Sequence, residues 1–177
     1  MKDINIMSLD LEYNQPSKTI IQVGIAIGNL KSGEILAKQC YNIKVEEQIS
    51  EFIIELTGIT QEDVDNGITL DEAYKYLIKA HTDFNCFRNA LTWGGGDSDD
   101  LRKALGLDDD RYLFGRRWID AKTLFVSKCM AMDAKTQSGL AKSMVRLGLK
   151  FEGTKHNAMD DATNTFYIYR KLLEELK

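Results

Sequence analysis

The sequence is short of the features that mark several classes of protein. Its one proline, Pro16, and the lack of a Ser/Gly-rich linker give no sign of a domain boundary, so the 177 residues predict a single domain. The three cysteines include no Cys-x-x-Cys pair, which argues against both a zinc knuckle and a disulfide framework. No apolar run approaches the roughly 20 residues that span a bilayer, and the first residues are unlike a signal peptide. We therefore expect a cytoplasmic location, reduced thiols and no membrane partner.

A basic tail is missing as well. Lys and Arg number 23 against 27 Asp and Glu, which gives a formal net charge of -4. Sequence-independent binding of nucleic acid depends on many Lys and Arg contacts to phosphate. If the charge were spread evenly, this balance would argue weakly against such a partner.

The hydrophobic pattern changes about a third of the way along the chain. Segments 4–13, 19–29 and 35–45 are rich in Ile, Val, Leu and Tyr, with a turn at 30–33, and predict three consecutive antiparallel strands. From Thr69, followed by Glu72 as in a capping box, the spacing predicts a helix through Phe84. The remaining chain predicts short strands at 90–93 and 118–119, and helices at 97–105, around 124–130, at 137–147 and at 158–176. This order predicts an α/β layer arrangement with a mixed sheet.

Two carboxylates interrupt the first predicted strand. Asp10 and Glu12 are two residues apart, so both project from one face, while Leu9 and Leu11 face the other way. Burying two like charges together is costly unless a cation neutralises them. The alternative is an exposed edge strand with a solvated polar face.

Further candidates lie at helix starts. Asp97 follows three glycines and can lie on the core-facing side of its helix. The alternative is that Asp97 or Ser98 caps the helix. In the last helix the spacing turns Asp161 inward and Asp160 toward solvent, and His156 lies in the preceding loop. Taken singly, His156 could be a solvated loop histidine, and Asp161 a carboxylate favoured by the helix dipole.

Together these residues resemble the three motifs of the DEDDh (DnaQ-like) 3'-to-5' exonucleases. The segments are Asp10-Leu11-Glu12, Asp97, and the His-x-Ala-x-x-Asp-Ala sequence at 156–162. Four more stretches are similar to the Eri-type branch of that superfamily: Ile-Ile-Gln-Val-Gly at 20–24, Leu-Thr-Gly-Ile-Thr at 56–60, Thr-Trp-Gly at 92–94 and Ile-Asp-Ala-Lys at 119–122. The chain departs from that branch at Gly95 and Gly96, where another side chain often stands.

The resemblance implies an RNase H-like fold, with a mixed five-stranded sheet flanked by helices, in one exonuclease domain over residues 1–177. It implies that Asp10, Glu12, Asp97 and Asp161 hold two Mg²⁺ ions, with Mn²⁺ as a substitute, and that His156 is the general base. Carboxylate oxygens suit such hard cations, and two of them can stabilise an in-line displacement at phosphorus. The implied reaction releases nucleoside 5'-monophosphates from a free 3' end.

Substrate contacts are predicted from position and charge. Residues 135–155 carry five Lys or Arg against Glu152, a local balance of +4, and Lys142 and Arg146 lie one turn apart on a predicted helix. This stretch is either a phosphate-binding surface or a solvated helix face. We expect substrate contacts from five residues: Leu11, Tyr13, Trp93, Lys142 and Arg146. Tyr13 could stack on a terminal base or serve as a packing residue.

The predicted partner is nucleic acid with a free 3' end, with RNA favoured over DNA. The alternatives are an oligoribonuclease-like enzyme for very short RNAs, an inactive nucleic-acid-binding module and a two-metal phosphodiesterase for a small nucleotide. The net charge is compatible with a nucleic-acid partner whose phosphates are met by metal ions and a local basic stretch. Without the four proposed ligands, 27 - 4 = 23 acids face 23 bases, so two divalent cations would cancel the formal charge.

Overall fold

A computed structural model describes residues 1–108 and 112–176. The described strands form one five-stranded sheet in the order β3-β2-β1-β4-β5. β1 pairs antiparallel with β2, and β2 with β3, whereas β1 and β4, and β4 and β5, are parallel. The predicted mixed sheet with three antiparallel leading strands is confirmed. The strands are β1 (Asn5–Tyr13), β2 (Ile20–Asn29), β3 (Ile35–Asn42), β4 (Leu91–Thr92) and β5 (Ile119–Asp120).

The predicted helices are present, and two more were not predicted. α1 and α2 follow β3 in a segment that we had noted only for its family resemblance. α6 is shorter than the predicted 137–147, and it begins at Leu140 without a side-chain cap. The helices are α1 (Glu51–Thr57), α2 (Gln61–Asp65), α3 (Leu70–Asp83), α4 (Asp97–Ala104), α5 (Ala121–Ala131), α6 (Leu140–Arg146) and α7 (Ala158–Glu175).

The sheet is covered on both faces. Leu9 and Leu11 of β1 pack with Leu77 of α3 on one side. Ile6 packs with Phe166 of α7 on the other. Because both faces are covered, every residue of β2 except its last is buried, and the sequence of β2 is a mostly apolar run.

The C-terminal helix is seated directly on β2. Gly24 leaves no room for a side chain, since an added Cβ would lie 2.1 Å from the carbonyl carbon of Ala158. Beside it, the buried Gln22 side chain accepts a hydrogen bond from the Ala158 amide (2.9 Å) and donates one to Asn42 Oδ1 (2.8 Å). The first turn of α7 is thereby fixed against the middle of the sheet.

Cys40, Cys86 and Cys129 are free thiols. Among the described residues, no helix has the length and apolar character needed to cross a membrane.

Candidate active site

β1 presents the first two carboxylates from the centre of the sheet. It lies between β2 and β4, so the alternative of an exposed edge strand for Asp10 and Glu12 is wrong. The intervening Leu11 is buried on the opposite face, as the alternation predicts. The two acids therefore share one face near the carboxyl end of a central strand.

Asp97 is the first residue of α4, but it does not cap that helix. The N-cap is Gly96, which has φ 119° and offers no side chain, so the capping role considered for Asp97 or Ser98 is wrong. The Asp97 carboxylate instead accepts hydrogen bonds from the hydroxyl groups of Thr92 and Tyr13, the latter at 3.2 Å. These two donors hold Asp97 toward the ends of β4 and β1.

Asp161 and His156 come together at the start of α7. His156 has φ 62°, and its amide donates to Asp161 Oδ2 (3.3 Å). One ligand atom each from Glu12, His156 and Asp161 lie within 4.8 Å of one another. Asp160 has a different role, because its carboxylate accepts the Thr154 amide (2.8 Å) and anchors the loop before the helix.

The four acids repel one another at this site. Burial raises the pKa of Asp10 well above its ordinary value, and the charges of Asp97, Glu12 and Asp161 raise it further. Burial, with Asp161 and Asp97, raises the pKa of Glu12 to about 7. Burial also raises the pKa of Asp161 to about 6, although the hydrogen bond from the His156 amide lowers it in part. Burial raises the pKa of Asp97 as well. The mutual influence shows that all four carboxylates face one small region.

This arrangement fits divalent cations. Oδ1 of Asp161 is buried and has no hydrogen-bond partner. Burying a carboxylate oxygen without a hydrogen-bond donor costs free energy. Hard cations such as Mg²⁺ bind clusters of carboxylate oxygens. Asp10, Glu12, Asp97 and Asp161 are therefore the residues that could hold metal, and binding would relieve their repulsion.

Three predicted substrate contacts have other uses in the structure. The Tyr13 hydroxyl donates to Asp97 and to Asp100 Oδ2 (3.3 Å), so Tyr13 positions a carboxylate. The Trp93 ring packs on Phe125, with centroids 5.9 Å apart. The Leu11 side chain, 5% exposed, lies in the core on the far face of β1. The pleat therefore points the Leu11 side chain away from the carboxylates, and the expected substrate contact of Leu11 stays a prediction.

Lys142 and Arg146 both face a groove that leads to the carboxylates. A cavity of about 290 Å³ beside His156 and Asp161 is also lined by Lys142 and Lys155. Those two lysines continue into a second cavity of about 660 Å³ that reaches Arg146. The Arg146 guanidinium is engaged there, since it donates to the Lys135 carbonyl (2.5 Å) and to Cys129 Sγ (3.2 Å) and lies 5.0 Å from the Phe125 ring centroid. Lys142 is the better placed of the two for phosphate.

Sequence reasoning missed the residues that support the site. Thr92 binds Asp97, Gln22 binds the start of α7, and Asp120 Oδ1 accepts the Gly94 amide (2.9 Å) beside the glycine loop. Gln22, Thr92 and Asp120 all fall inside stretches noted for their resemblance to Eri-type sequences. Their position in these stretches marked them as candidates, but the sequence did not show what each side chain contacts.

Comparison with known proteins gives a consistent assignment. No family model matches the chain. The chain is 26% identical to 3'-5' exoribonuclease 1 of Rattus norvegicus over 166 residues, which are 88% of this chain and 47% of the relative. It is also 26% identical to a PolC-type DNA polymerase III of Thermotoga petrophila over 187 residues, 99% of this chain and 12% of the relative. The chain thus spans about half or less of the curated relatives that it matches.

A solved structure with the same fold is the nuclease domain of 3'hExo, a DEDDh family member, bound to rAMP. The TM-score is 0.80 at 23% identity, and the match covers 97% of this chain and 92% of that one. The RNase H-like fold implied by the resemblance is confirmed. The chain thus has the fold of a DEDDh nuclease domain and is similar in sequence to relatives named as exoribonucleases, which supports the resemblance to the Eri-type branch of the DEDDh exonucleases.

Proposed function

We propose that residues 1–177 form one metal-dependent 3'-to-5' exonuclease domain that acts on RNA in preference to DNA and releases nucleoside 5'-monophosphates. The observation that carries the proposal is the convergence of Asp10, Glu12, Asp97 and Asp161 with His156. Three separate parts of the chain supply these groups, and burial, with added repulsion from the other acids, raises the pKa of Asp10. Burying these carboxylates close together costs free energy, and bound cations would offset that cost.

The chain's own residues divide the chemistry between them. Asp10, Glu12, Asp97 and Asp161 would hold two divalent cations, Mg²⁺ or Mn²⁺, which stabilise charge on the attacking and leaving oxygens at phosphorus. His156 accepts the proton from the attacking water, because a ring nitrogen of imidazole is a suitable proton acceptor. Its position in the loop before α7, bonded through its amide to Asp161, places the ring at the rim of the carboxylate cluster.

The groove beside the cluster supports a nucleic-acid substrate. Lys142 and Lys155 line both cavities that lead to His156, and neither takes part in an ion pair among the described residues. Two lysines on the approach to a phosphodiester site can neutralise the phosphates next to the 3' end. The preference for RNA follows from relatives that are named exoribonucleases.

A cleavage assay with end-labelled oligomers tests the proposal. Single-stranded RNA and DNA of matched sequence, labelled at the 5' end, are incubated with the protein and Mg²⁺. We expect a ladder that shortens from the 3' end, faster for RNA, and nucleoside 5'-monophosphates as the released product. Cleavage restricted to oligomers of two or three nucleotides would indicate the oligoribonuclease-like alternative or a small-nucleotide phosphodiesterase.

The controls address the metal and the catalytic groups. Excess chelator and the Asp10→Asn variant should each abolish the ladder. Full activity under either condition would contradict the metal assignment. No cleavage by the wild-type protein with Mg²⁺ or Mn²⁺ would leave only a binding module with the same fold.

A further inference from the structure

Three arginines line a cavity at the end of the sheet away from the carboxylates. Arg88 and Asn89 precede β4, and Arg116 and Arg117 precede β5. At the other end of these strands, Asp97 follows β4 and Asp120 is the last residue of β5. With Gly115 and Asn89, the arginines enclose about 340 Å³. Because β1, β4 and β5 are parallel, the arginines lie at the amino ends of the strands whose carboxyl ends carry the candidate active site.

The two arginine-bearing segments are held together by their backbones. The Ala90 amide donates to the Phe114 carbonyl (3.0 Å), and the Ile119 amide donates to the Ala90 carbonyl (2.8 Å). Gly115 has φ 88°, and an added Cβ would lie 2.1 Å from Asn89 Oδ1 and 2.6 Å from the Arg88 carbonyl oxygen. A glycine is required for this approach, so the arginines of both segments are brought to one cavity by the fold.

The three positive charges have no anionic partner in the described part of the chain. No ion pair there includes Arg88, Arg116 or Arg117, and all three residues are exposed. Like charges around one cavity repel, and an anion from outside would relieve that repulsion. A guanidinium group binds phosphate with two parallel hydrogen bonds, so phosphate is a suitable ligand.

Exposed aromatic rings accompany the arginines. The Arg116 guanidinium lies 5.4 Å from the centroid of the Tyr112 ring, and Tyr112 is 53% exposed. Phe87, directly before Arg88, is 39% exposed. Surfaces that bind single-stranded nucleic acid combine cations for the backbone with aromatic rings on which bases stack. This combination favours a nucleic-acid strand over an isolated phosphate.

We propose that Arg88, Arg116, Arg117 and Tyr112 form a second binding site for a single-stranded stretch of the substrate, upstream of the 3' end; this use as an exosite rests on the proposed function. The Phe87 amide donates a hydrogen bond to the Asn5 carbonyl, so the arginine site lies beside the start of β1. Asp10 is five residues farther along this strand. At about 3.3 Å per residue, the two sites are roughly 16 Å apart. At about 3.4 Å per stacked nucleotide, a strand needs about five nucleotides or more to reach both.

A binding measurement tests the site independently of catalysis. In the Asp10→Asn background, which prevents cleavage, fluorescence anisotropy compares a 20-nucleotide RNA on the parent with the triple variant Arg88→Gln, Arg116→Gln, Arg117→Gln. We expect Kd to rise about tenfold and the dependence of log K on log salt to become shallower by about 2, as for three lost phosphate contacts. A matched control changes Lys38, Lys44 and Lys75, exposed cations on or near the β3 side of the sheet, to Gln; it should bind like the parent.

Further measurements separate the exosite from the active site. In the active protein the triple variant should raise KM for the 20-nucleotide RNA about tenfold while leaving hydrolysis of a trinucleotide unchanged. Tyr112→Ala should weaken binding of the long RNA about fivefold through lost stacking. Equal Kd values for parent and triple variant, or an equal loss in the lysine control, would overturn the exosite. Arginine-dependent binding by a chain that cleaves nothing would instead overturn the proposed function alone.

Discussion

The two ends of the parallel strands carry clusters of opposite charge in opposite environments. At the carboxyl ends four acids are crowded under α7, and burial with mutual repulsion raises the pKa of Asp10. At the amino ends three arginines are exposed around an open cavity. Water screens the second cluster and not the first. Bound cations would therefore stabilise the acidic end strongly, whereas at the basic end water weakens the repulsion that an anionic ligand would relieve.

The largest expected effect comes from removing one charge at the acidic end. Asp10→Asn should lower exonuclease activity at least about a hundredfold, since a preorganised electrostatic group is lost from the site. The same change should raise the melting temperature of the metal-free protein, because it removes repulsion that Asp97, Glu12 and Asp161 impose on Asp10. Mg²⁺-dependent cleavage rates and thermal melts with chelator measure both. A variant that is destabilised without metal would contradict the account of the acidic end.

A second prediction separates positioning from packing at the acidic end. Gly24→Ala places a Cβ against the Ala158 backbone, next to the loop that carries His156. Gly28→Ala instead places a Cβ 2.4 Å from the Phe166 ring, farther along α7. Both should lower stability through overpacking, by about 1–3 kcal/mol. Only Gly24→Ala should also lower kcat, by about tenfold or more at a temperature where both variants are folded. Equal kcat values for the two would show that the seat of α7 on β2 does not position His156 and Asp161.

The pH dependence of stability should follow the acids. The pKa of Glu12 rises from 4.5 to about 7 on folding, and that of Asp161 from 3.8 to about 6, so the native state binds more protons than the unfolded state between these values. The free energy of unfolding of the metal-free protein should therefore fall as pH rises from about 4 to about 7, then level off. Saturating Mg²⁺ should reduce or reverse this fall, because cations bind the ionised form. Denaturant melts across this range, with Mg²⁺ and with chelator, test the sign.

The smallest effects are expected in the groove beside the acidic end. Lys142→Gln should raise KM for RNA several-fold with unchanged stability, since its charge faces the cavity and makes no ion pair among the described residues. Arg146→Gln should lower stability by about 1–2 kcal/mol, because the guanidinium binds the Lys135 carbonyl and packs on Phe125. Steady-state kinetics and denaturant melts on both variants check the contrast. The opposite pattern would make Arg146 the phosphate contact.

Local sequence was sufficient for the long elements. The alternation in β1 and the helical spacing of α7 placed Asp10, Glu12 and Asp161 on inward faces, as the structure has them. β4 and β5 are two residues each, too short for alternation to be visible. α1 and α2 had local signals that were not used: Ser50 caps α1, Gly58 ends it in the left-handed region, and Thr60 with Asp63 forms a capping box.

The supporting contacts lay beyond any local pattern. Gln22 and Ala158 are 136 residues apart, and Tyr13 and Asp97 are 84 apart. Nothing in the neighbourhood of Tyr13 distinguishes a tyrosine that stacks on a base from one that donates a hydrogen bond to a distant aspartate. The residues of the candidate site could therefore be proposed from motif and spacing, whereas the residues that hold them in place could be identified only from the fold.

The seat of α7 on β2 also determines when the site can form during synthesis. Asp10 and Glu12 emerge from the ribosome well before His156, Asp161 and the helix that packs on Gly24. At about 5–20 residues per second, the interval between Asp10 and Asp161 is roughly 8–30 s. During that interval the nascent chain lacks His156 and Asp161, so the full candidate site can assemble only after α7 has been made.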